Sequence, residues 1–304
     1  MKKLFVSGML LLILGLTCLY REPLVKFYVD HFVSIDKTVT LSANEKNDYF
    51  LGENYSFVQS TTNFTPSNKQ DILNIYYTIL DRGLTDFVFY CSEEYKECIQ
   101  DVKDISNNQV LLSHINNFVH PYNSFKSIET EYDTLGKITI KISHTYTDEM
   151  IRSLQQKTKE IQKDVIQDEQ DPEKMIKLIH DYIINNSRYD SDRSDQKTVK
   201  YQSDTAYGNL IQGYGICGGY ADSMKLFLDL YQIPNYKIAS ENHVWNLVKV
   251  NDQWLHLDLT WDDPIVTNGK DVLEYNFFLI TTQELQELQT NQHNFDTAIY
   301  QEAK

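Results

Sequence analysis

Basic residues are scarce in this chain: 28 lysines and arginines stand against 43 aspartates and glutamates, a formal net charge of −15. So acidic a surface repels phosphate backbones, and no Lys/Arg block follows the first residues, which argues against nucleic acid as a partner. Cysteine is scarce too, with four in 304 residues. No CxxC pair or Cys/His cluster has zinc spacing and no EF-hand-like loop is present, so neither a metal nor any other cofactor is expected. Internal repeats and low-complexity tracts are also missing, which excludes solenoid architectures. His114, His120 and His144 have no acidic or cysteine companion at useful spacing and read as surface or satisfied core histidines.

What is present begins with Met1-Lys-Lys and an apolar run from Leu4 to Tyr20, closed by Arg21-Glu22. A charged n-region before an apolar h-region is the pattern of an export signal, and about 17 apolar residues also reach the lower limit for a spanning helix. No small-x-small cleavage site stands out. The first expectation is an uncleaved N-terminal membrane anchor over residues 1–21, the second a cleaved signal and the third a lipid-attached Cys18. All three put the rest of the chain outside the cytoplasmic membrane, anchored or secreted; a buried core helix is the ordinary alternative. Cys91 and Cys98 are spaced to form a disulfide in an oxidising compartment, or else to remain free core thiols. Either way Cys217 stands alone.

Residues 22–68 read as a tether and an irregular segment. Residues 69–147 read as a small α+β accessory domain: a helix from Gln70 stopped at Gly83, a strand at Asp86–Cys91, short helices at Tyr95–Ile105 and Leu111–Phe118, and an alternating strand at Lys137–Ile142. Residues 148–304 form the second domain. Its first helix runs from Asp148 to Gln167, and the next opens where an Asp171 N-cap meets Pro172 at the first helical position. His180 adjoins the apolar stripe of that helix, where packing is expected. Ser187 to Asp204 is polar and aperiodic, as in a long surface or rim loop.

Chemistry concentrates further on. Ala221, Met224, Leu228 and Tyr231 recur at helical spacing, so Cys217 falls at or just before a helix N-terminus, where unpaired N–H groups favour thiolate over thiol. Gly215, Gly218 and Gly219 leave room for a substrate carbonyl, with backbone N–H groups such as that of Gly218 near a developing oxyanion. Alone, this is equally a buried structural cysteine. Downstream, His243 to Val250 and Gln253 to Thr260 alternate around an Asn251-Asp252 turn, which is a β-hairpin. Pairing Val250 with Gln253 puts His243 and Asp258 on one face as diagonal neighbours about 7 Å apart. A thiolate, an imidazole and a carboxylate are then placed for the triad of covalent catalysis. The competing reading makes His243 and Asp258 ordinary polar faces of a hairpin, and the deciding observation is whether His243 Nδ1 faces Asp258 while its other nitrogen faces the sulfur. His256 is a rival histidine on the same face, and Asp262 and Asp263 are rival carboxylates.

Gly-Ile-Cys217-Gly-Gly-Tyr-Ala, His243-Val-Trp-Asn and Trp254-x-x-x-Asp258-x-Thr260 resemble, in order and approximate spacing, three blocks of the transglutaminase-like superfamily, over roughly Met175 to Pro264. The portion before Ile151 more weakly resembles accessory domains of exported Gram-positive bacterial proteins. The resemblance implies an α+β, papain-like core: a nucleophile at a helix N-terminus packed on an antiparallel sheet. It implies Cys217 as nucleophile, His243 as general base and acid, and Asp258 as the residue that orients the histidine. Animal members stabilise the oxyanion with a tryptophan upstream of the cysteine. None precedes Trp245 here, which leaves Tyr189, Tyr201, Tyr207 and Trp245 as substrate or oxyanion candidates beside Gly218. The function expected is amide attack through a thioester on a protein or peptide at the cell surface, followed by transfer to an amine or hydrolysis. The alternative is an inactive surface binding or scaffolding module of the same fold.

Overall fold

A computed structural model describes residues 39–42, 44–195, 198–264 and 272–304. The apolar N-terminal segment, Cys18 included, lies outside the described residues. In chain order the elements begin with helix α1 (Lys69–Asp81), strand β1 (Asp86–Tyr90), helices α2 (Cys98–Asn107) and α3 (Gln109–Asn116), and strands β2 (Phe125–Tyr132) and β3 (Lys137–His144). Asn68 starts α1 by accepting from the Asp71 N–H, and Gly83, at φ +67°, turns the chain out of it. Strand β3 is the centre of a three-stranded antiparallel sheet, with β1 and β2 on either side. Its Ile138, Ile140 and Ile142 point inward, as alternation requires.

Two differences from the expected elements have simple causes. Strand β2 was not anticipated, because FKSIETEY is polar and largely exposed; hydrogen bonding to β3 makes it a strand, at an edge where polar residues are tolerated. Helix α2 starts at Cys98 rather than Tyr95, since Cys91 and Cys98 are disulfide-bonded, with Cα atoms 5.7 Å apart, and tie the end of β1 to the first turn of α2.

Helix α4 (Asp148–Ile161) is capped by Thr147, which accepts from the Met150 N–H. It then widens into one π-type turn over Gln162–Ile166 and ends at Gln167, φ +53°, so the regular helix is shorter than its apolar period implied. Helix α5 (Pro172–Asn186) opens on the Asp171 cap and buries Met175, Ile176, Ile179 and Ile183. The polar stretch after it holds a two-residue strand β4 (Arg188–Tyr189) and a single helical turn α6 (Ser191–Ser194), both too short to leave a periodic signal. Helix α7 (Ala206–Leu210) follows, then strand β5 (Tyr214–Gly215), which pairs in parallel with β4 and delivers the chain to helix α8 (Cys217–Leu230).

Strands β6 (Asn235–Ala239), β7 (Val244–Val250), β8 (Gln253–Leu257) and β9 (Phe278–Ile280) form an antiparallel meander, and helix α9 (Thr282–Glu287) follows it. Val250 pairs with Gln253 around Asn251 and Asp252, both at positive φ, the backbone of a tight hairpin turn. The ladder stops at Asn246 opposite Leu257, so His243 and Asp258 lie just beyond it, at the same end of the hairpin.

This sheet is covered on both faces. Val248, Val250 and Leu257 join the core made with α4, α5, α7 and α8. Tyr236, Ile238, Trp245 and Leu247 join the other core, shared with α1, the first sheet and Tyr300. Helix α8 is itself buried from Gly219 to Leu228. Burying one side chain such as Phe227 stabilises by about 1.5–3 kcal/mol, and α8 is therefore a rigid carrier for whatever stands at its first residue.

Candidate active site

Cys217 is the first residue of α8 and is half-buried. Ile216, before it, supplies no side-chain cap, so no cap bond closes off the first-turn N–H groups. The glycines around it do something other than make room for substrate. A Cβ on Gly219 would lie 2.3 Å from the Ser203 carbonyl oxygen, and one on Gly218 would lie 2.9 Å from that of Asp204. Their bare sides are pressed against the 203–205 backbone, and the Ser203 carbonyl also accepts the Ile216 N–H at 2.8 Å. That segment is held in turn by Ser203 Oγ donating to Asp190 at 2.6 Å.

Polar bonds orient α8 from below. Asp222 accepts from Lys237 Nζ on β6 and from the Tyr146 hydroxyl, each at 2.6 Å, and Tyr146 accepts the Ala206 N–H at 2.7 Å. Asn246 on β7 donates to the Ala221 carbonyl at 3.1 Å. These contacts fix the helix against the hairpin that carries the other two residues.

His243 Nε2 lies 2.5 Å from Asp258 Oδ2, and Cys217 stands close enough to the same imidazole to raise its pKa. With Nε2 committed to Asp258, Nδ1 is the nitrogen left for the sulfur. The cause is reach: His243 and Asp258 are diagonal neighbours past the ladder's end, and the distal ring nitrogen spans that longer gap. Burial alone would lower the His243 pKa. The Asp258 charge and hydrogen bond, joined by the neighbouring Cys217, outweigh it and push the value up to about 10. Burial works on Asp258 in the opposite sense, and His243 and His293 nevertheless hold its carboxyl well below the usual range.

His293 carried no signal in the sequence. Its Nε2 donates to Asp258 Oδ2 at 2.8 Å, and its Nδ1 is 2.5 Å from the Thr290 hydroxyl. The other carboxylate oxygen accepts the Thr260 N–H at 2.9 Å and the Trp261 N–H at 3.4 Å. Asp258 is thus held by four donors. His243, Asp258 and His293 each bring a metal-ligating atom within 4.8 Å of the others, but two of the three pairings are direct hydrogen bonds that an ion would have to break. Replacing His293 by alanine is expected to lower kcat/KM about 10-fold, the worth of one hydrogen bond to a charged group. Glutamine, whose amide donates from a similar place, should restore most of that; equal losses in both variants would show that His293 only fills space.

The remaining candidates are placed as follows. Trp245 is 1% exposed, lies parallel to the His243 ring at 5.6 Å and gives its N–H to His256 Nδ1 at 3.0 Å, which removes it as an oxyanion donor. His256 is committed on both nitrogens, with Thr282 at 2.9 Å, and burial followed by the charge of His293 pushes its pKa down to about 3. Asp262 pairs with His180 at 3.1 Å, and Asp263 accepts from the Tyr220 hydroxyl, so neither rival carboxylate serves His243. Tyr201 stacks on Tyr214 at 4.0 Å, while Tyr207 packs against the α8 core. Tyr189 sits opposite Gly215, two residues from Cys217, with its hydroxyl donating to Ser194 at 3.1 Å.

A cysteine at a helix N-terminus, then a histidine and a carboxylate at one end of a hairpin, occur here in that chain order on an antiparallel sheet. Residues 159–259 match the transglutaminase-like superfamily. This transglutaminase-like segment begins near the end of α4 and closes one residue past Asp258, so it includes all three residues and leaves out His293. No curated protein matches the chain. A crystal structure of a TGase is similar over 48% of this chain and 46% of its own length, at 13% identity and a TM-score of 0.34; the chain covers less than half of that protein. The superfamily is one of cysteine-based acyl-transfer and peptidase-type chemistry, and it also includes inactive members.

Proposed function

We propose that the protein is an extracytoplasmic cysteine enzyme that attacks carboxamide or peptide bonds of proteins or peptides through a thioester at Cys217. The observation that carries the reading is the His243–Asp258 hydrogen bond, with Cys217 beside that imidazole at the N-terminus of α8. In the resting site the thiol proton passes to His243 Nδ1, and the Asp258 carboxylate stabilises the imidazolium. The thiolate attacks the substrate carbonyl, with first-turn backbone N–H groups, that of Gly218 among them, turned toward the developing oxyanion. Collapse of the tetrahedral adduct breaks the C–N bond while His243 returns its proton to the leaving amine or ammonia. His243 then takes a proton from an incoming amine or water, which attacks the thioester and restores the thiol.

Two further points support the setting. The Cys91–Cys98 disulfide suits an oxidising compartment, and the charged-then-apolar N-terminus suits export with retention at the membrane.

The test is incubation of the protein with a glutamine-containing protein and a fluorescent primary amine. Incorporation that disappears in Cys217→Ala establishes transfer, and ammonia or peptide release that disappears in the same variant establishes hydrolysis. Absence of all three products, together with iodoacetamide alkylation of Cys217 no faster than that of a free thiol, would sink the enzyme reading and leave a binding module of the same fold.

A further inference from the structure

A cleft of about 980 Å³ opens at the far end of α8 from Cys217. Fourteen helical residues, at about 1.5 Å each, separate the two ends by roughly 20 Å. Its walls come from the 48–56 segment, the chain around His120, α4, the last turn of α8 and the start of β6. Three half-buried aromatic rings face it. Tyr49 stacks on His120 at 5.1 Å, Tyr55 packs on Phe118 at 4.8 Å, and Trp254 leans on Tyr236 at 5.3 Å.

One polar group at the wall of the cleft is left incomplete. Asp229 Oδ1 accepts from Lys225 Nζ at 3.1 Å and Asn235 Nδ2 at 2.8 Å. Its Oδ2 is buried and has no hydrogen-bond partner among the described residues, on a side chain only 7% exposed. Across from it stands His120, whose Nδ1 accepts the Tyr122 N–H at 3.1 Å. That bond leaves the proton of a neutral ring on Nε2, and burial, the largest influence on His120, holds its pKa down to about 4. Nε2 and Oδ2 are 4.0 Å apart, beyond hydrogen-bond length. The buried Asp229 Oδ2 is thus left without a donor while the Nε2–H stands just out of its reach, which costs free energy that a suitable ligand would recover.

The chemistry of that ligand follows from what would satisfy both groups. Once the Asp229 side chain turns its covered Oδ2 toward the cleft, one hydroxyl oxygen about 2.8 Å from each atom accepts from Nε2 and donates to Oδ2. A cation has little to gain, because Lys225 already neutralises Asp229. An anion is repelled, because Asp48 and Glu53 line the cleft and no lysine or arginine does. The apolar C–H face of a pyranose packs well on exposed aromatic rings. We propose that this cleft binds a short neutral saccharide, with one ring hydroxyl bridging His120 and Asp229 and sugar faces resting on Tyr49, Tyr55 and Trp254. The volume suits two or three sugar rings.

The site is independent of the chemistry at Cys217, and its test is calorimetric titration of the full chain with chitotriose, cellotriose and maltotriose. At least one should bind, at least about 10-fold more weakly to Trp254→Ala, Tyr55→Ala and Asp229→Asn, and unchanged to Cys217→Ala. The two aromatic variants read the site even if Asp229→Asn fails to fold. Absence of binding to the folded wild type, binding that survives both aromatic substitutions, or binding of 1,5-diaminopentane in place of all three sugars would each overturn the assignment.

Discussion

Asp258→Asn should lower kcat/KM by about 10³–10⁴-fold without unfolding the protein. The amide keeps the size of the carboxylate and can still accept from the Thr260 and Trp261 N–H groups. It no longer supplies the charge that offsets the burial of His243, and burial then sets that residue's pKa. The upper limit of the pH–activity profile should therefore move to lower pH by about 1–3 units. A variant that keeps its alkaline limit while losing rate would show that Asp258 acts by position alone.

The same shifts fix how stability depends on pH. His243 has a folded pKa of about 10 against an ordinary 6.5. Its contribution is complete below about pH 6.5 and is lost as the pH rises through 10. Asp258 is depressed from 3.8, so its contribution is present above that value and is lost as the pH falls through the depressed one. Between the two ordinary values, 3.8 and 6.5, both contributions are complete, so urea midpoints should be flat there with respect to these two groups and fall on either side.

The second large effect concerns folding rather than turnover. Asp222→Ala should destabilise the protein by about 3–5 kcal/mol, because it leaves the Lys237 ammonium and the Tyr146 hydroxyl buried without their shared acceptor. Joining it to Lys237→Met should recover much of the loss, since removing both charges costs far less than removing one. Urea unfolding of the two variants decides the point. A loss below about 1 kcal/mol in the single variant would mean that water or a shifted side chain reaches Lys237.

Much of the candidate site was legible because local rules fix it. The Asn251-Asp252 turn sets the hairpin register, and the register alone puts His243 and Asp258 on one face; a helical period starting after Cys217 puts the sulfur at a helix end. The ring nitrogen facing Asp258 was not legible, since it depends on how far the two residues stand beyond the last ladder pair. His293 left no trace because it sits in an irregular stretch 35 residues after Asp258, where neither period nor motif constrains position. The role of the glycines was misread for a related reason: sequence shows an absent side chain but not which neighbour occupies the freed space, here the 203–205 backbone. Strand β2 was invisible because a polar edge strand takes its order from its partner. Trp245 looked available as a donor because an indole N–H reads the same in sequence whether or not His256 has claimed it.

The sheet that carries His243 has one face in each of the two cores, and this bears on what can be cut from the chain. Excising residues 159–259 as an autonomous unit would strip Trp245 and Leu247 of their cover from α1 and Tyr300, and would sever His293 from Asp258. The boundaries that mark a family in sequence are not the boundaries at which this polypeptide can be divided. A truncated fragment should expose an aromatic sheet face and associate through it, so assays intended to measure this site require the flanking halves as well.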